Sequence, residues 1–244
     1  MQETEQADRI VGAKRTANPP RLVPSPPCLL WDVDGTLTDT TALIAEALDH
    51  IYRKFYGRAL SFDDRRALIG TPLKKQIRIF GEPESLGVAE EEITEEFITF
   101  YEQQKSRERL WDDVIASLIE GKRRGFPTGL VTSKNREELA NTLPRLGIAD
   151  YIDSAVTADD VAHPKPDPEG IRLALRRLAI PAERIADAVY IGDTLHDMRA
   201  ARDAGVRGIA VTWGAATRAQ MEQEAPAFLC DTPAELRHLL FTAP

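Results

Sequence analysis

The chain has 244 residues, of which 43% are hydrophobic and 29% charged, a profile typical of a globular protein with one large domain or a domain and an insertion. The formal net charge of −8 argues against nucleic-acid binding, and the lack of a long apolar run argues against a membrane-spanning helix. Only two cysteines, Cys28 and Cys230, are present, and neither belongs to a CxxC motif. We therefore expect buried thiols in a reduced, cytoplasmic protein.

The first 27 residues are predicted to form a flexible N-terminal tail. This segment mixes acidic and basic residues and ends in the proline-rich stretch "NPPRLVPSPP". It has no apolar core of the kind found in secretory signals, and its acidic residues are unlike those of a transit peptide. We expect the folded part to begin at Cys28.

The first predicted strand, residues 28–34, contains two aspartates and is followed by glycine in "LLWDVDGTLTDT". Asp32 and Asp34 are two residues apart, so on a strand both side chains point to one face near its carboxyl end. Ligands bind at this end of the strands in open α/β sheets. Two such carboxylates repel unless a cation neutralises them or one keeps a proton, which suits a phosphoryl-transfer site. The alternative is that Asp34 and Gly35 simply form a turn.

Residues 39–110 are predicted to be an all-helical insertion, because no strand pattern interrupts them. Apolar residues recur at helical spacing from residue 41 to Gly57, a suitable C-cap. Ser61 and Asp64 are spaced as the N-cap and third residue of a short helix. Two further helical patterns follow before residue 109.

Strands and helices alternate from residue 111 onward. The apolar runs that predict strands are residues 127–133, 151–157, 187–193 and 207–214. The helical patterns cover residues 112–124, 135–146, 168–179, 195–205 and 233–240. This alternation predicts a doubly wound parallel sheet with helices on both faces, built from residues 28–38 and 111–244.

Three later segments place polar groups where predicted strands or stiff loops end. Thr132 and Ser133 follow a strand and precede a helix, where hydroxyl and N–H groups can bind an anion, although Ser133 could instead cap that helix. Lys165 lies between two prolines, which would present its ammonium group on a stiff loop; the alternative is a surface lysine. Asp193 ends another apolar strand, and Asp197 follows one helical turn later.

The order and spacing of these segments resemble the four motifs of the haloacid dehalogenase (HAD) superfamily. The motif residues are Asp32-Val33-Asp34-Gly35-Thr36, Thr132, Lys165, and Gly192-Asp193 with Asp197. The resemblance covers nearly the whole chain from residue 28 and implies a doubly wound core with a mobile cap. An insertion of helical pattern between the first and second motifs resembles the phosphoglycolate-phosphatase-like branch.

This resemblance implies a role for each motif residue. Asp32 would be the nucleophile and Asp34 the general acid and base. Mg²⁺ would bind the side chains of Asp32 and Asp193 and the backbone carbonyl of Asp34.

The remaining motif residues would act on the substrate. Thr132 and Lys165, with Ser133 adjacent, would bind the phosphoryl group. Asp197 would support this site.

The resemblance also implies a Mg²⁺-dependent phosphatase that acts on a small phosphorylated metabolite, with phosphoglycolate as the first choice and pyrophosphate as the second. Asp34 argues against a dehalogenase, which lacks a carboxyl group there, and Thr36 favours a phosphatase over a β-phosphoglucomutase-like phosphotransferase. A phosphate-sensing binding protein is the alternative without catalysis. We expect a monomer or homodimer with no nucleic-acid or membrane partner.

The predicted cap contains candidates for substrate specificity. The segment "LIGTPLKKQIR" places Thr71 in a loop that could enter the site. Lys74 and Arg78 lie four residues apart on the next helix and could bind a second anionic group. The alternative is that these two residues form a solvated basic face.

Overall fold

The structure is a computed structural model that describes residue 22 and residues 25–61, 64–65, 68–79 and 81–241. The predicted tail therefore lies outside the described residues, except for residues 22 and 25–27. In the described part, no helix combines the length and apolar character needed to cross a bilayer.

A six-stranded parallel sheet forms the centre of the fold. The strands of the described chain are β1 (Leu29–Trp31), β2 (Thr38–Asp39), β3 (Arg109–Leu110), β4 (Thr128–Val131), β5 (Ser154–Val156), β6 (Val189–Gly192), β7 (Arg207–Val211) and β8 (Phe228–Cys230). The order in the large sheet is β5-β4-β1-β6-β7-β8. Trp31 at the end of β1 pairs with Leu130 of β4 and Ile191 of β6. The carboxyl ends of these three strands therefore lie side by side.

Helices cover both faces of this sheet, as the alternation of patterns predicted. The helices of the described chain are α1 (Thr41–Tyr56), α2 (Leu73–Arg78), α3 (Glu90–Gln104), α4 (Asp112–Arg123), α5 (Arg136–Leu146), α6 (Glu169–Arg177), α7 (Leu195–Ala204), α8 (Arg218–Gln223) and α9 (Pro233–Phe241). Neighbouring side chains of β1 point to opposite faces of the sheet. Trp31 packs with residues of α4 and α9 on one face, and Leu30 packs with residues of α6 and α7 on the other. The doubly wound α/β fold is confirmed.

The inserted segment has a hydrophobic core of its own. α1, α2 and α3 contribute buried side chains that include Leu48, Ile77 and Ile93. α1 ends at Gly57, which has the left-handed conformation expected of a C-cap. Ser61 Oγ accepts the N-cap hydrogen bond from the N–H of Asp64 at 3.0 Å, as predicted, and the N–H of Ser61 donates in return to Asp64 Oδ2 at 3.2 Å.

The prediction that the insertion is entirely helical is wrong at its two ends. β2 and β3 form a short antiparallel pair in which Thr38 is opposite Leu110 and Asp39 is opposite Arg109. The two connections between the insertion and the rest of the chain therefore lie side by side. A strand of two residues is too short to give an alternating pattern, so the sequence could not reveal it.

Two elements near the C-terminus were not predicted. β8 adds an edge strand to the sheet, and the six-residue α8 begins after Thr217, which accepts a hydrogen bond from the backbone N–H of Gln220. Both elements are short, and the "APAFLCD" segment that contains β8 has no run of alternating residues long enough to indicate a strand.

The burial of both cysteines predicts slow reaction with thiol reagents. Cys28 is 0% exposed and Cys230 is 3% exposed, and burial raises the pKa of each thiol to about 12. Since the thiolate is the reactive form, Ellman's reagent should detect no thiol in the native protein and both thiols after denaturation in guanidinium. A thiol that reacts in the native protein as fast as free cysteine would contradict this packing.

Candidate active site

The ammonium group of Lys165 lies at the centre of a buried cluster at the carboxyl ends of the strands. Its Nζ atom is 2.8 Å from Asp32 Oδ1, 2.7 Å from Asp197 Oδ1 and 3.0 Å from the hydroxyl of Tyr190. Burial acts to lower the pKa of Lys165, but Asp197 and Asp32 outweigh it and raise that pKa. The lysine therefore stays charged where a phosphate would need a cation.

The two carboxylates beside Lys165 have opposite pKa shifts. Burial raises the pKa of Asp32 to about 7, although Lys165 opposes the shift. Burial also acts to raise the pKa of Asp197, but the charge of Lys165 and hydrogen bonds from Lys165, Thr194 and Tyr190 lower it below its ordinary value. Asp197 is thus the fixed anion of the cluster, and Asp32 is the more easily protonated group.

Tyr190 is a member of the cluster that was not predicted. Its hydroxyl lies 2.9 Å from Asp197 Oδ1 and 3.0 Å from the carbonyl oxygen of Val131, so it connects β6 to β4 beneath the site. The residue stands inside the apolar run of β6, where its side chain is buried. An aromatic residue in such a run usually packs in the core, and the sequence held no further signal for its hydroxyl.

Asp193 lies in a tight polar pocket next to this cluster. Its Oδ1 accepts a hydrogen bond from Thr36 Oγ1 at 3.1 Å, and its Oδ2 accepts one from the Ala215 N–H at 2.7 Å. A Cβ atom added at Gly35 or Gly214 would lie 2.1 Å from Asp193 Oδ2, so both positions need glycine. Burial and the charges of Asp32 and Asp197 raise the pKa of Asp193 well above its ordinary value.

Three carboxylates form a group that fits a divalent cation. One carboxylate oxygen each from Asp32, Asp193 and Asp197 lies within 4.8 Å of the other two. Hard cations such as Mg²⁺ prefer oxygen ligands, and the raised pKa values of Asp32 and Asp193 indicate buried negative charge that a cation would balance. Within the described part of the chain, Asp197 accepts four hydrogen bonds, from Lys165, Tyr190 and twice from Thr194, whereas Asp32 accepts one and Asp193 two, so Asp32 and Asp193 are the better ligands.

Asp34 takes different partners from Asp32, although both side chains line the same cleft. Its Oδ1 accepts a hydrogen bond from Thr40 Oγ1 at 2.9 Å, and its Oδ2 lies 2.9 Å from Lys134 Nζ. The carboxylate of Asp34 is therefore outside the acidic group, and the predicted contribution of its backbone carbonyl to a metal stays a prediction.

Lys134 was not singled out from the sequence, although it stands next to two predicted site residues. Its side chain is only 13% exposed. Burial acts to lower the pKa of Lys134, but Asp34 raises it, and the lysine remains charged. A lysine just before a predicted helix is usually solvated, so only the folded chain shows that it pairs with Asp34.

The two predicted hydroxyl groups lie in different surroundings. Thr132 is buried beside the cleft, and its Oγ1 accepts a hydrogen bond from the N–H of Lys134 at 3.2 Å. Ser133 Oγ donates to the carbonyl oxygen of Gly70 at 2.8 Å and so joins the insertion to the sheet. Ser133 does not cap α5; Asn135 does, because its side chain accepts from the N–H of Glu138.

The loop before α2 reaches the cleft, but the basic face of α2 does not. Thr71 lines the cleft together with Asp32 and Asp34. Neither Lys74 nor Arg78 is among the described residues that line the cleft. The side chain of Lys74 is 77% exposed, and Arg78 pairs with three glutamates, Glu82, Glu84 and Glu90. These contacts favour the alternative of a solvated basic face.

Comparison with known proteins identifies the family. The sequence pattern of the family described as "Haloacid dehalogenase-like hydrolase" matches residues 29–211, about three quarters of the chain. The chain belongs to this family.

Named relatives agree with this assignment. The chain is 33% identical over 219 residues to pyrophosphatase PpaX from Bacillus velezensis, covering 86% of this chain and 94% of the relative. It is 35% identical over 221 residues to "Probable phosphatase IndB" from Dickeya dadantii, with coverage of 86% and 91%. Family membership and these relatives make the chain a phosphatase of the HAD type.

A solved structure supports the fold. A haloacid dehalogenase-like hydrolase from Streptococcus pneumoniae matches with a TM-score of 0.69 and 23% identity, covering 86% of this chain and 95% of that one. At this identity the likeness extends to the fold alone. Asp32, Thr132 and Asp193 of the first, second and fourth HAD motifs directly follow β1, β4 and β6, which are neighbours in the sheet.

Binding of Mg²⁺ should stabilise the protein through Asp193. At a Mg²⁺ concentration of a hundred times Kd, the free energy of unfolding should rise by about 2.7 kcal/mol, because the cation binds only the folded state. Asp193→Asn should abolish most of this gain without lowering the stability of the metal-free protein, since it removes a buried charge. Thermal unfolding with and without Mg²⁺ measures both effects. An equal gain in the variant would exclude Asp193 as a ligand.

Proposed function

We propose that this HAD phosphatase hydrolyses a small phosphorylated metabolite in a Mg²⁺-dependent reaction that passes through an aspartyl phosphate on Asp32. The observation that carries the proposal is the placement of Asp32 Oδ1 2.8 Å from the buried ammonium of Lys165, within the acidic group of Asp193 and Asp197. A nucleophile, a phosphate-binding cation and metal ligands are thereby close together.

In the first step, a carboxylate oxygen of Asp32 attacks phosphorus, and the bond from phosphorus to the leaving oxygen breaks. The carboxyl group of Asp34 gives its proton to that oxygen, which leaves as an alcohol. Lys165 and the hydroxyl of Thr132 hold the phosphoryl oxygens. Asp32 and Asp193 would hold Mg²⁺, which would supply positive charge that offsets the charge of the phosphoryl group.

In the second step, the carboxylate of Asp34 takes a proton from a water molecule whose oxygen attacks phosphorus. The bond between phosphorus and Asp32 breaks, which restores the carboxylate and releases inorganic phosphate. Lys165 stays charged throughout, since Asp197 and Tyr190 hold it in place. In both steps Asp34 must turn from Thr40 and Lys134 toward the substrate, because these two residues hold its carboxylate in the structure.

The insertion would serve as a cap over this reaction. The paired strands β2 and β3 connect it to the sheet, and the hydrogen bond between Ser133 and Gly70 joins it to the site. Cap closure would exclude water during attack by Asp32, and opening would admit water for the second step.

Two substrates should be assayed first. Phosphoglycolate follows from the resemblance to that branch of the family, and pyrophosphate follows from the name of the relative PpaX. A β-phosphoglucomutase-like phosphotransferase would instead interconvert sugar phosphates and release little inorganic phosphate, so an assay of both products separates the two activities. A phosphate-sensing protein would release none.

Loss of the Asp32 carboxylate should abolish turnover while the protein stays folded. Asp32→Asn removes the nucleophile, and Asp34→Asn should cost about 10²- to 10⁴-fold in kcat because no acid or base remains. Release of inorganic phosphate measures activity, and circular dichroism checks the fold. Full activity of Asp32→Asn would refute the proposed nucleophile.

Removal of the metal should stop the reaction reversibly. Lys165 alone cannot offset the charges of Asp32, Asp193, Asp197 and a phosphate, so a chelator should reduce phosphate release to the background rate, and excess Mg²⁺ should restore it. Turnover that continues in a chelator would remove the metal from the scheme.

A further inference from the structure

The cleft that extends from Asp32 and Asp34 is lined on two sides by helix faces. α3 of the insertion contributes residues one helical turn apart, among them Phe97 and Tyr101. α5 faces them with polar side chains, among them Asn141. The part of a substrate beyond its phosphorus atom would lie between these two faces.

The charges of this cleft do not favour a second anionic group. Among the described residues that line it, six are acidic and three are basic. Each of the three bases is paired with an acid that also lines the cleft. Lys105 is 2.6 Å from Glu102, Lys134 is 2.9 Å from Asp34, and Arg145 pairs with Glu108.

A carboxylate or second phosphate on the substrate would have to separate one of these pairs or lie near uncompensated acids. Both cost free energy, most of all at the Lys134–Asp34 pair, whose side chains are 13% and 19% exposed, because breaking a buried pair leaves a charge without its partner. The phosphoryl group differs from such a second anion, because Lys165 contacts Asp32 at the end of the cleft and a cation on Asp32 and Asp193 would offset the acidic charge there.

Apart from Glu102, the residues of α3 that line the cleft have apolar or aromatic side chains. Ile98 is 40% exposed although it lines the cleft, and the rings of Phe97 and Tyr101 are stacked with an angle of 12° between their planes. The hydroxyl of Tyr101 has no hydrogen-bond partner among the described residues. Burial raises the pKa of Tyr101, so its hydroxyl stays protonated and can donate a hydrogen bond.

From these contacts we infer that the enzyme prefers phosphate monoesters whose leaving group is an uncharged ring compound, held by the apolar face of Ile98 and Tyr101 and by the Tyr101 hydroxyl. An uncharged ring can be aromatic or a hydroxylated carbohydrate, and both have an apolar face that packs on such side chains. This inference rests on the proposed phosphatase activity and names its substrate class.

The test compares kcat/KM for five compounds with the full chain and Mg²⁺. Benzyl phosphate represents an aromatic ring, glucose 6-phosphate a carbohydrate ring, and ethyl phosphate a small uncharged group. 2-Phosphoglycolate and pyrophosphate have anionic leaving groups. We expect kcat/KM for at least one ring monoester to exceed the values for both anionic substrates by about tenfold or more. The better of the two ring compounds then shows whether the leaving group is aromatic or a carbohydrate.

Variants then test the side chains. Ile98→Ala and Tyr101→Phe should each lower kcat/KM for the preferred ring monoester by about five- to tenfold and leave ethyl phosphate within about twofold. Ile79→Ala is the matched control, because Ile79 is also an exposed isoleucine of the insertion, at 51%, but does not line the cleft. Ile79→Ala should change kcat/KM neither for the ring monoester nor for ethyl phosphate.

A charge variant tests the argument from ion pairs. Glu102→Gln should free Lys105 and raise kcat/KM for 2-phosphoglycolate and pyrophosphate by about threefold, while Glu95→Gln, outside the cleft on the same helix, should not.

The possible failures are distinguishable. Pyrophosphate or 2-phosphoglycolate as the best substrate would overturn the inference and leave the phosphatase intact. An equal loss with all five compounds in Ile98→Ala and Tyr101→Phe would also overturn it. Absence of phosphate release from every compound would overturn the proposed function and the inference together.

Discussion

The site depends on one buried cation, Lys165, that lies between two carboxylates. Asp32 and Asp197 would repel each other in a buried setting, and their contacts with the lysine at 2.8 and 2.7 Å offset that repulsion. Loss of one member of a buried ion pair typically costs about 3–5 kcal/mol, so removal of any of the three side chains should lower the stability of the fold without abolishing it. Tyr190 completes the cluster and connects it to the backbone of β4 through the carbonyl oxygen of Val131.

The parallel sheet explains why distant parts of the sequence meet here. β4, β1 and β6 are neighbours, and each presents its carboxyl end to the same edge, where Thr132, Asp32 and Asp193 follow. The tight packing of Gly35 and Gly214 around Asp193 fixes the carboxylate that completes the acidic group. The insertion adds a different wall, and we propose that its apolar side chains and paired charges distinguish substrates by their leaving groups.

Much of this arrangement could be predicted from the sequence, because polar residues that follow apolar runs indicate strand ends. Asp32, Thr132 and Asp193 were located in this way, and the alternation of patterns gave the doubly wound sheet. Tyr190 could not be predicted, since its hydroxyl acts from within an apolar strand. The pairing of Lys134 with Asp34 joins residues 100 positions apart, and Glu90 becomes a neighbour of Arg78 only when α2 packs near α3. Sequence patterns show local periodicity, and contacts between distant elements do not alter that periodicity.

The most direct test of the central claim is to find where the phosphoryl group is attached during turnover. A reaction quenched in acid, with peptide mass spectrometry of the wild type and of the slower Asp34→Asn variant, locates a covalent phosphoryl group. We predict that its mass is added to the peptide that contains Asp32, at that residue. Attachment of the phosphoryl group to any other residue would contradict a mechanism built on Asp32. Turnover without a phosphorylated peptide in either protein would contradict it as well.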